Sequence, residues 1–142
     1  MQDQQKLQQM LNEINAYKEQ SELLQQEIAN VQQTIAEVKT LESTIDDIKA
    51  KESFEALVPV GAGSFMNAEI KNENKIIMSV GSGVAISKTY EEAKETAEFQ
   101  KKQLEDSLDK LYKNLQQITD IVAQLSPQAE QLMMKLQQAG QY

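Results

Sequence analysis

The chain has 142 residues, a formal net charge of −8, and neither cysteine nor histidine. Phosphate binding needs a clustered basic face, and the lysines of this chain are dispersed, so the sequence argues against nucleic acid and anionic membrane surfaces as partners. Without cysteine and histidine, the commonest thiol nucleophile, proton shuttle and metal ligand are missing. We therefore expect no enzyme, no cofactor and no metal site.

The compartment is predicted from what the sequence lacks. The N-terminal segment is rich in glutamine and has no apolar core of the kind that a signal peptide needs, and no apolar run approaches the roughly 20 residues of a membrane span. The missing cysteines give no indication of an oxidising compartment. We expect a cytoplasmic protein.

The first third of the chain carries an apolar stripe whose members recur at alternating intervals of three and four residues. This spacing keeps one narrow seam facing a partner helix, as in a left-handed coiled coil. Residues 1–52 are therefore predicted to form a first long helix. The stripe consists of Leu7, Met10, Ile14, Tyr17, Ser21, Leu24, Ile28, Val31, Ile35, Val38, Glu42 and Ile45.

The last third, residues 90–142, repeats the same pattern and predicts a second helix that folds back on the first. In an antiparallel register Met10 meets Leu132 and Ile28 meets Leu115. The same register brings together the charged positions of the two seams, Glu42 and Lys101, which are predicted to fix the alignment. The second stripe consists of Ala97, Lys101, Leu104, Leu108, Leu111, Leu115, Ile118, Val122, Leu125, Ala129, Leu132, Leu136 and Ala139.

Residues 53–89 change to short β-prone runs, in which Val60-Gly61-Ala62-Gly63 recurs as Val80-Gly81-Ser82-Gly83. Each Gly-X-Gly predicts the tight reversal of a β-hairpin, where positive φ angles are needed. No helix and no Gly-Lys-Ser/Thr follows, so the sequence favours a turn over a phosphate-binding loop. Two isolated hairpins are marginally stable, so we expect strands from several chains to join in a shared sheet or barrel. The predicted assembly residues are Val58, Val60, Phe65, Met66, Ile70, Ile76, Met78, Val80, Val84 and Ile86.

The predicted fold is mostly α: an antiparallel two-helix coiled coil with two β-hairpins inserted between the helices, all forming one structural unit. Adjacent carboxylates at Asp46-Asp47 and Glu91-Glu92 point in different directions on a helix and are interpreted as solvated helix ends. Pro127 removes the hydrogen bond to the carbonyl of Ala123, and a kink or loosened turn is expected there rather than a helix end.

Function must reside in surfaces, and the free ends of the two helices offer apolar residues for an unfolded protein to bind. Methionine adapts to many partner shapes. Leu11, Met133 and Met134 lie off the seam and favour client contact, whereas the seam residues at these ends serve equally well to close the coiled coil. Leu23 and Ile121 are off the seam midway, where lateral packing is an equal alternative. The predicted client-binding residues are Leu7, Met10, Leu11, Ile14, Leu132, Met133, Met134 and Leu136.

The order of elements and the hairpin segments Leu57-Val58-Pro59-Val60-Gly61-Ala62-Gly63-Ser64-Phe65 and Ile77-Met78-Ser79-Val80-Gly81-Ser82-Gly83-Val84-Ala85-Ile86 resemble the alpha class of the archaeal prefoldin family over nearly the whole chain. The resemblance implies a hexamer of two alpha and four beta subunits, with the strands in a central double barrel. It also implies capture of unfolded proteins at the helix ends and their delivery to a group II chaperonin without nucleotide hydrolysis.

The sequence alone thus leaves two functions open. The first is a nucleotide-independent holdase that binds unfolded proteins weakly at several helix ends at once. The second is a structural coiled-coil tether whose hairpins serve only for oligomerisation.

Overall fold

The computed structural model describes residues 2–140, which form two long helices with four short strands between them. The elements are α1 (Gln2–Ile48), β1 (Ser53–Gly61), β2 (Ser64–Lys71), β3 (Ile76–Gly81), β4 (Val84–Lys88) and α2 (Tyr90–Gln138). Contacts group the described residues in two compact units. We call residues 2–33 and 105–140 the terminal unit and residues 34–104 the hairpin unit, and describe each by itself.

The terminal unit consists of the first part of α1 packed against the last part of α2. The two segments run in opposite directions, because Asp3 pairs with Lys135 and Gln32 donates a hydrogen bond to Tyr112. Apolar residues of both segments form a buried cluster, in which Leu7 is fully buried. The buried members of this cluster are Leu7, Met10, Ile14, Ala129 and Leu136.

The hairpin unit contains the second part of α1, both hairpins and the first part of α2. Its helical segments are also antiparallel, as the ion pairs of Glu42 with Lys101 and of Asp46 with Lys94 show. One apolar cluster of this unit joins the helices to the second hairpin. The buried members are Ile45, Tyr90 and Ala93, against which Leu41, Ile48, Ile76 and Met78 pack.

The predicted seams are confirmed. Every residue of the first stripe is buried or half-buried, and so is every residue of the second stripe except Ala139, which is exposed. Most helical residues outside the two stripes are exposed. The three-four spacing therefore identified the apolar face of both helices, as expected when burial rather than propensity decides where a helix packs.

Both hairpins are closed by two-residue turns that match the predicted Gly-X-Gly reversals. Gly61 pairs with Ser64 and Gly81 with Val84, which leaves Ala62-Gly63 and Ser82-Gly83 as the turns. The φ angles of these turn residues lie between 49° and 73°. Two consecutive positive φ angles define a type I′ turn, whose twist suits a hairpin. A register shift precedes each turn, after Pro59 and after Ser79.

The start of α2 has a side-chain cap that the sequence carries as Thr89-Tyr90-Glu91-Glu92. The Thr89 hydroxyl accepts a hydrogen bond from the backbone N–H of Glu92 at 3.2 Å, and Glu92 Oε1 accepts one from the backbone N–H of Thr89 at 3.5 Å. This arrangement is a capping box, which satisfies backbone donors that the first turn leaves unpaired. It fixes the point at which β4 ends and α2 begins.

Pro127 lies inside α2, which continues on both sides of it to Gln138. The prediction that the proline does not end the helix is confirmed. The expected kink or loosened turn at this position stays a prediction.

Candidate assembly and client-binding surfaces

The first hairpin exposes apolar side chains on both of its faces. Phe54 pairs with Ile70 and Val58 with Met66, so these four side chains share one face. Leu57 and Phe65 lie on the opposite face and are 66% and 59% exposed. A two-stranded sheet with apolar residues on both faces and unpaired edges is marginal by itself. It has the features of a surface that a partner covers.

The opposite face of the first hairpin also places two like charges directly across from each other. Glu55 pairs with Glu69, and both carboxylates are exposed. Directly opposed like charges destabilise an antiparallel pair. In a single chain, repulsion between Glu55 and Glu69 therefore destabilises the first hairpin.

Most predicted assembly residues are exposed on the hairpins, but two are not. Ile76 and Met78 pack against the cluster of Ile45, Tyr90 and Ala93. Both residues were assigned to assembly because the sequence alone does not distinguish hairpin residues that face a partner from those that face their own helices. Since Met78 and Ile86 share one face of the second hairpin, Ile76 and Met78 turn that face toward the helices of their own chain. The predicted residues that are exposed are Val58, Val60, Phe65, Met66, Ile70, Val80, Val84 and Ile86.

Two exposed apolar residues were missing from the predicted assembly surface. Leu57 is 66% exposed and Ile77 is 74% exposed, the most of any large apolar residue that the structure describes. The alternation of side chains along a strand was the signal that could have found them. Ile77 lies between Ile76 and Met78, so it must point away from the face that those two residues pack with.

The segment between the two hairpins connects the ends of both helices. The Asn72 side-chain amide donates hydrogen bonds to the carbonyl oxygens of Ile48 at 3.1 Å and Lys51 at 2.7 Å. The Asn74 side-chain oxygen accepts one from the backbone N–H of Tyr90 at 3.3 Å. Asn72 thus pairs with the carbonyl of the last residue of α1 and with one three residues beyond it, and Asn74 pairs with the first N–H of α2.

The predicted register residues lie together in the hairpin unit. Lys101 Nζ is 3.1 Å from Glu42 Oε1 and 3.1 Å from Glu98 Oε2. The side chains of Lys101 and Glu42 are 19% and 20% exposed. The hydrogen bond to Glu42, and then that to Glu98, raises the pKa of Lys101, while the hydrogen bond from Lys101 lowers the pKa of Glu98. Both shifts show that the ionised forms stabilise each other.

A second, more exposed ion pair connects the same helices. Asp46 Oδ1 lies 2.6 Å from Lys94 Nζ and 3.3 Å from Lys49 Nζ. These hydrogen bonds, with that from Lys94 the larger, hold the pKa of Asp46 below its ordinary value of 3.8. Asp46 is therefore tied to the helix pairing and is more than the solvated helix end that the sequence predicted.

The terminal unit holds all eight predicted client-binding residues, and most of them are covered. Leu7, Met10, Ile14 and Leu136 are buried in the cluster of this unit. Leu11, Leu132 and Met133 are half-buried and pack against it. Met134 alone among the eight is exposed, at 60%. In this conformation the surface open to a partner is formed by Met134 and the edges of the three half-buried side chains.

The covering of Leu11 and Met133 follows from antiparallel geometry. Each of them comes directly after a seam residue, Met10 and Leu132, and those two seam residues are partners in the register. In an antiparallel pair the residues that follow partnered seam positions lie on the same side of the seam, as Gln32 and Tyr112 do where they share a hydrogen bond of 2.6 Å. Leu11 and Met133 therefore widen the core on one side.

The other side of the same seam has a small groove of about 280 Å³. Met10 and Leu132 form its apolar part, while Lys6 and Lys135 carry its positive charge. Gln128 and Gln131 complete the lining. The groove thus combines an apolar floor with two cations in a chain whose net charge is −8.

This architecture matches that of a known protein family. The family model described as prefoldin subunit matches residues 17–138 of the chain. The chain belongs to the prefoldin family. The prefoldin subunit alpha of Methanobrevibacter smithii is 55% identical over 93% of this chain and 90% of its own length. The prefoldin subunit alpha of Methanosphaera stadtmanae is 39% identical over 94% of this chain and 96% of its own length.

A prefoldin structure is also similar to this chain. It is a chain from the cryo-EM structure of filamentous PFD from Methanocaldococcus jannaschii, with 24% sequence identity and a TM-score of 0.46. The similarity covers 90% of this chain and 95% of the other.

Membership in the prefoldin family confirms the predicted family and fold class, and it supports a role as a chaperone subunit that assembles with other prefoldin subunits. Within residues 2–140, neither helix contains a stretch that is apolar enough to cross a membrane.

Proposed function

We propose that this member of the prefoldin family is a cytoplasmic, ATP-independent holdase subunit. The terminal unit binds exposed apolar segments of unfolded proteins, and the complete assembly passes them to a group II chaperonin. The proposed assembly contains two copies of this subunit and four beta subunits, joined through their hairpins in a shared β-barrel.

The observation that carries the proposal is the incomplete covering of apolar side chains in the terminal unit. Met134 is exposed and Leu11, Leu132 and Met133 are covered only in part. Flexible methionine and leucine side chains adapt to apolar segments of different shape. Such a surface suits weak binding of many unfolded sequences, which have apolar residues in common but no fixed structure.

The hairpins support the assembly part of the proposal. Leu57, Phe65 and Ile77 are each more than half exposed, and burial of apolar surface stabilises association by about 25 cal/mol per Å². Several terminal units on one assembly raise the effective concentration of binding sites for one client chain. Several weak contacts then bind one client jointly, while each single contact dissociates quickly enough for transfer.

The test is the suppression of aggregation of a chemically denatured protein, measured by light scattering without ATP. We expect protection from the assembled protein and a marked loss of protection when Met134 is replaced by Glu. The exposed position makes this variant preferable to truncation of residues 1–11 and 132–142, which would also remove the buried Leu7 and Leu136. Lys113→Glu, an exposed change in the same unit, is the matched control and should protect like the unchanged protein.

The alternative function, a structural tether, predicts a different result in the same experiment. A tether assembles through its hairpins but does not protect a denatured protein. Full assembly without protection would therefore support the tether and contradict the holdase.

A further inference from the structure

We propose that the groove of Lys6, Met10, Leu132 and Lys135 selects client segments in which an apolar side chain has an acidic neighbour. This inference rests on the proposed function and names the class of client sequence that the terminal unit prefers. The occupant is an extended segment of an unfolded polypeptide, with its apolar side chain on the floor of the groove and its carboxylate at the lysines.

The shape of the groove sets the size of its occupant. Its volume of about 280 Å³ lies at the lower end of ordinary ligand pockets, which span roughly 300–1,000 Å³. It therefore accommodates only a few side chains of one segment. Met10 is 8% exposed and Leu132 is half-buried, so the floor is apolar but already well packed. Its contribution to binding is small, and the charges at its border become important.

The positive charge at the border of the groove favours client segments in which the apolar residue has an acidic neighbour. Lys6 is exposed and has no ion-pair partner within residues 2–140. Lys135 is 72% exposed and pairs with Asp3 at a distance of 3.5 Å. The nearest acidic residue farther along the groove on α1 is Glu13, which lies one heptad, or about 10 Å, from Lys6. On α2, Glu130 precedes Gln131 and reduces the positive charge of the border, as Asp3 does at Lys135. A client carboxylate between the two lysines therefore gains from the unpaired charge of Lys6 and competes with Asp3 for Lys135.

Two glutamines make the same border suitable for an extended backbone. Gln128 and Gln131 line the groove on α2 and are exposed. A glutamine amide both donates and accepts hydrogen bonds, so it can pair with the N–H and C=O groups of any segment regardless of its sequence. The groove thus combines backbone contacts without sequence preference with a charge preference at one end.

The Asp3–Lys135 pair provides an internal check of the charge argument. Asp3 forms an ion pair with Lys135 in the free protein, and a client carboxylate competes with Asp3 for Lys135. Removing the charge of Asp3 should therefore strengthen the binding of acidic segments, whereas a mere loss of structure would weaken it. This opposite sign separates the proposal from a nonspecific effect of mutation.

The experiment uses the assembled protein and three fluorescent peptides that share one apolar sequence and differ only in flanking Asp, Ser or Lys residues. Fluorescence anisotropy measures their affinities. We expect the acidic peptide to bind tightest and to lose about three- to tenfold in affinity in the double variant Lys6→Gln and Lys135→Gln, since exposed ion pairs are weak individually. The Ser-flanked peptide should change little. Asp3→Asn should tighten the acidic peptide only.

The controls are Lys110→Gln and Lys113→Gln, which remove the same charge from exposed positions of α2 in the terminal unit. Equal affinities for all three peptides, or equal effects of control and groove variants, would overturn the inference and leave the proposed function intact. If no peptide binds and aggregation of a denatured protein is not suppressed either, the proposed function fails and the inference fails with it.

Discussion

The side-chain oxygen of Asn72 accepts a hydrogen bond of 2.9 Å from the backbone N–H of Asn74. Asn72 donates in turn to carbonyl oxygens at the end of α1, and Asn74 accepts from the first N–H of α2. Asn74 has a φ of 54°, a conformation that asparagine tolerates better than most residues. Two side chains therefore join both helix ends to the segment between the hairpins.

Replacing Asn72 by Ala should weaken this junction. Its amide is half-buried and serves several carbonyls, so we expect a loss of about 1–2 kcal/mol in the free energy of unfolding. Chemical denaturation of the unassembled chain measures it. Asn67→Ala, an exposed position on β2, is the matched control and should change the free energy little. Equal losses in both variants would contradict the role of Asn72.

The ion pair of Glu42 and Lys101 should behave as one coupled unit. Glu42→Lys or Lys101→Glu alone brings like charges together and should lower the melting temperature, whereas the double exchange should restore most of it. Thermal unfolding of the four proteins measures the coupling. If the effects of the two single exchanges simply add in the double variant, the pair does not fix the register.

Asp46 should contribute to stability in a way that depends on pH. Its pKa is lowered from 3.8, chiefly by the hydrogen bond from Lys94, so the folded state binds a proton there less readily than the unfolded state. The contribution is fully present above pH 3.8 and is lost as the pH falls through the lower folded pKa. Asp46→Asn should lower the melting temperature at neutral pH and should leave it unchanged in acid. An equal loss of melting temperature in the Asp46→Asn variant at neutral and at acid pH would contradict this contribution.

Replacing Ala62 by glycine should stabilise the turn of the first hairpin. Ala62 has a φ of 49°, which costs an L-residue with a Cβ about 1–2 kcal/mol, whereas glycine adopts it freely. Ala62→Gly should therefore stabilise the hairpin by about 0.5–1 kcal/mol after the entropy of glycine is included. Ala85→Gly, within β4, should destabilise by a similar amount. Two effects of the same sign in chemical denaturation would contradict the turn assignment.

The helices and turns could be predicted from the sequence because each depends on a local pattern. The three-four stripes identified the buried faces, and Gly61-Ala62-Gly63 required a reversal with positive φ. The pairing of Glu42 with Lys101 followed from the same register, since antiparallel helices bring fixed positions together once one layer is aligned. The stripes and turns depend on nearby residues alone, and the ion pair follows from the register that the stripes set.

The covering of individual side chains could not be predicted in the same way. Ile76 and Met78 face their own helices, while Ile77 between them is exposed, and this depends on how the second hairpin meets Ile45 and Tyr90. Leu11 and Met133 are half-buried because they lie on the same side of the seam. The roles of Asn72 and Asn74 require the spatial positions of both helix ends, which no short sequence pattern contains.

The central claim is that unfolded proteins contact the terminal unit at Met134 and its neighbours. The most direct measurement places a photoreactive amino acid at position 134, and separately at position 113 as an exposed control in the same unit, and irradiates the assembled protein with a denatured or a native protein. The account predicts cross-links from position 134 to the denatured protein only, and few from position 113. Equal cross-linking from both positions, or none from position 134 while aggregation is suppressed, would contradict it.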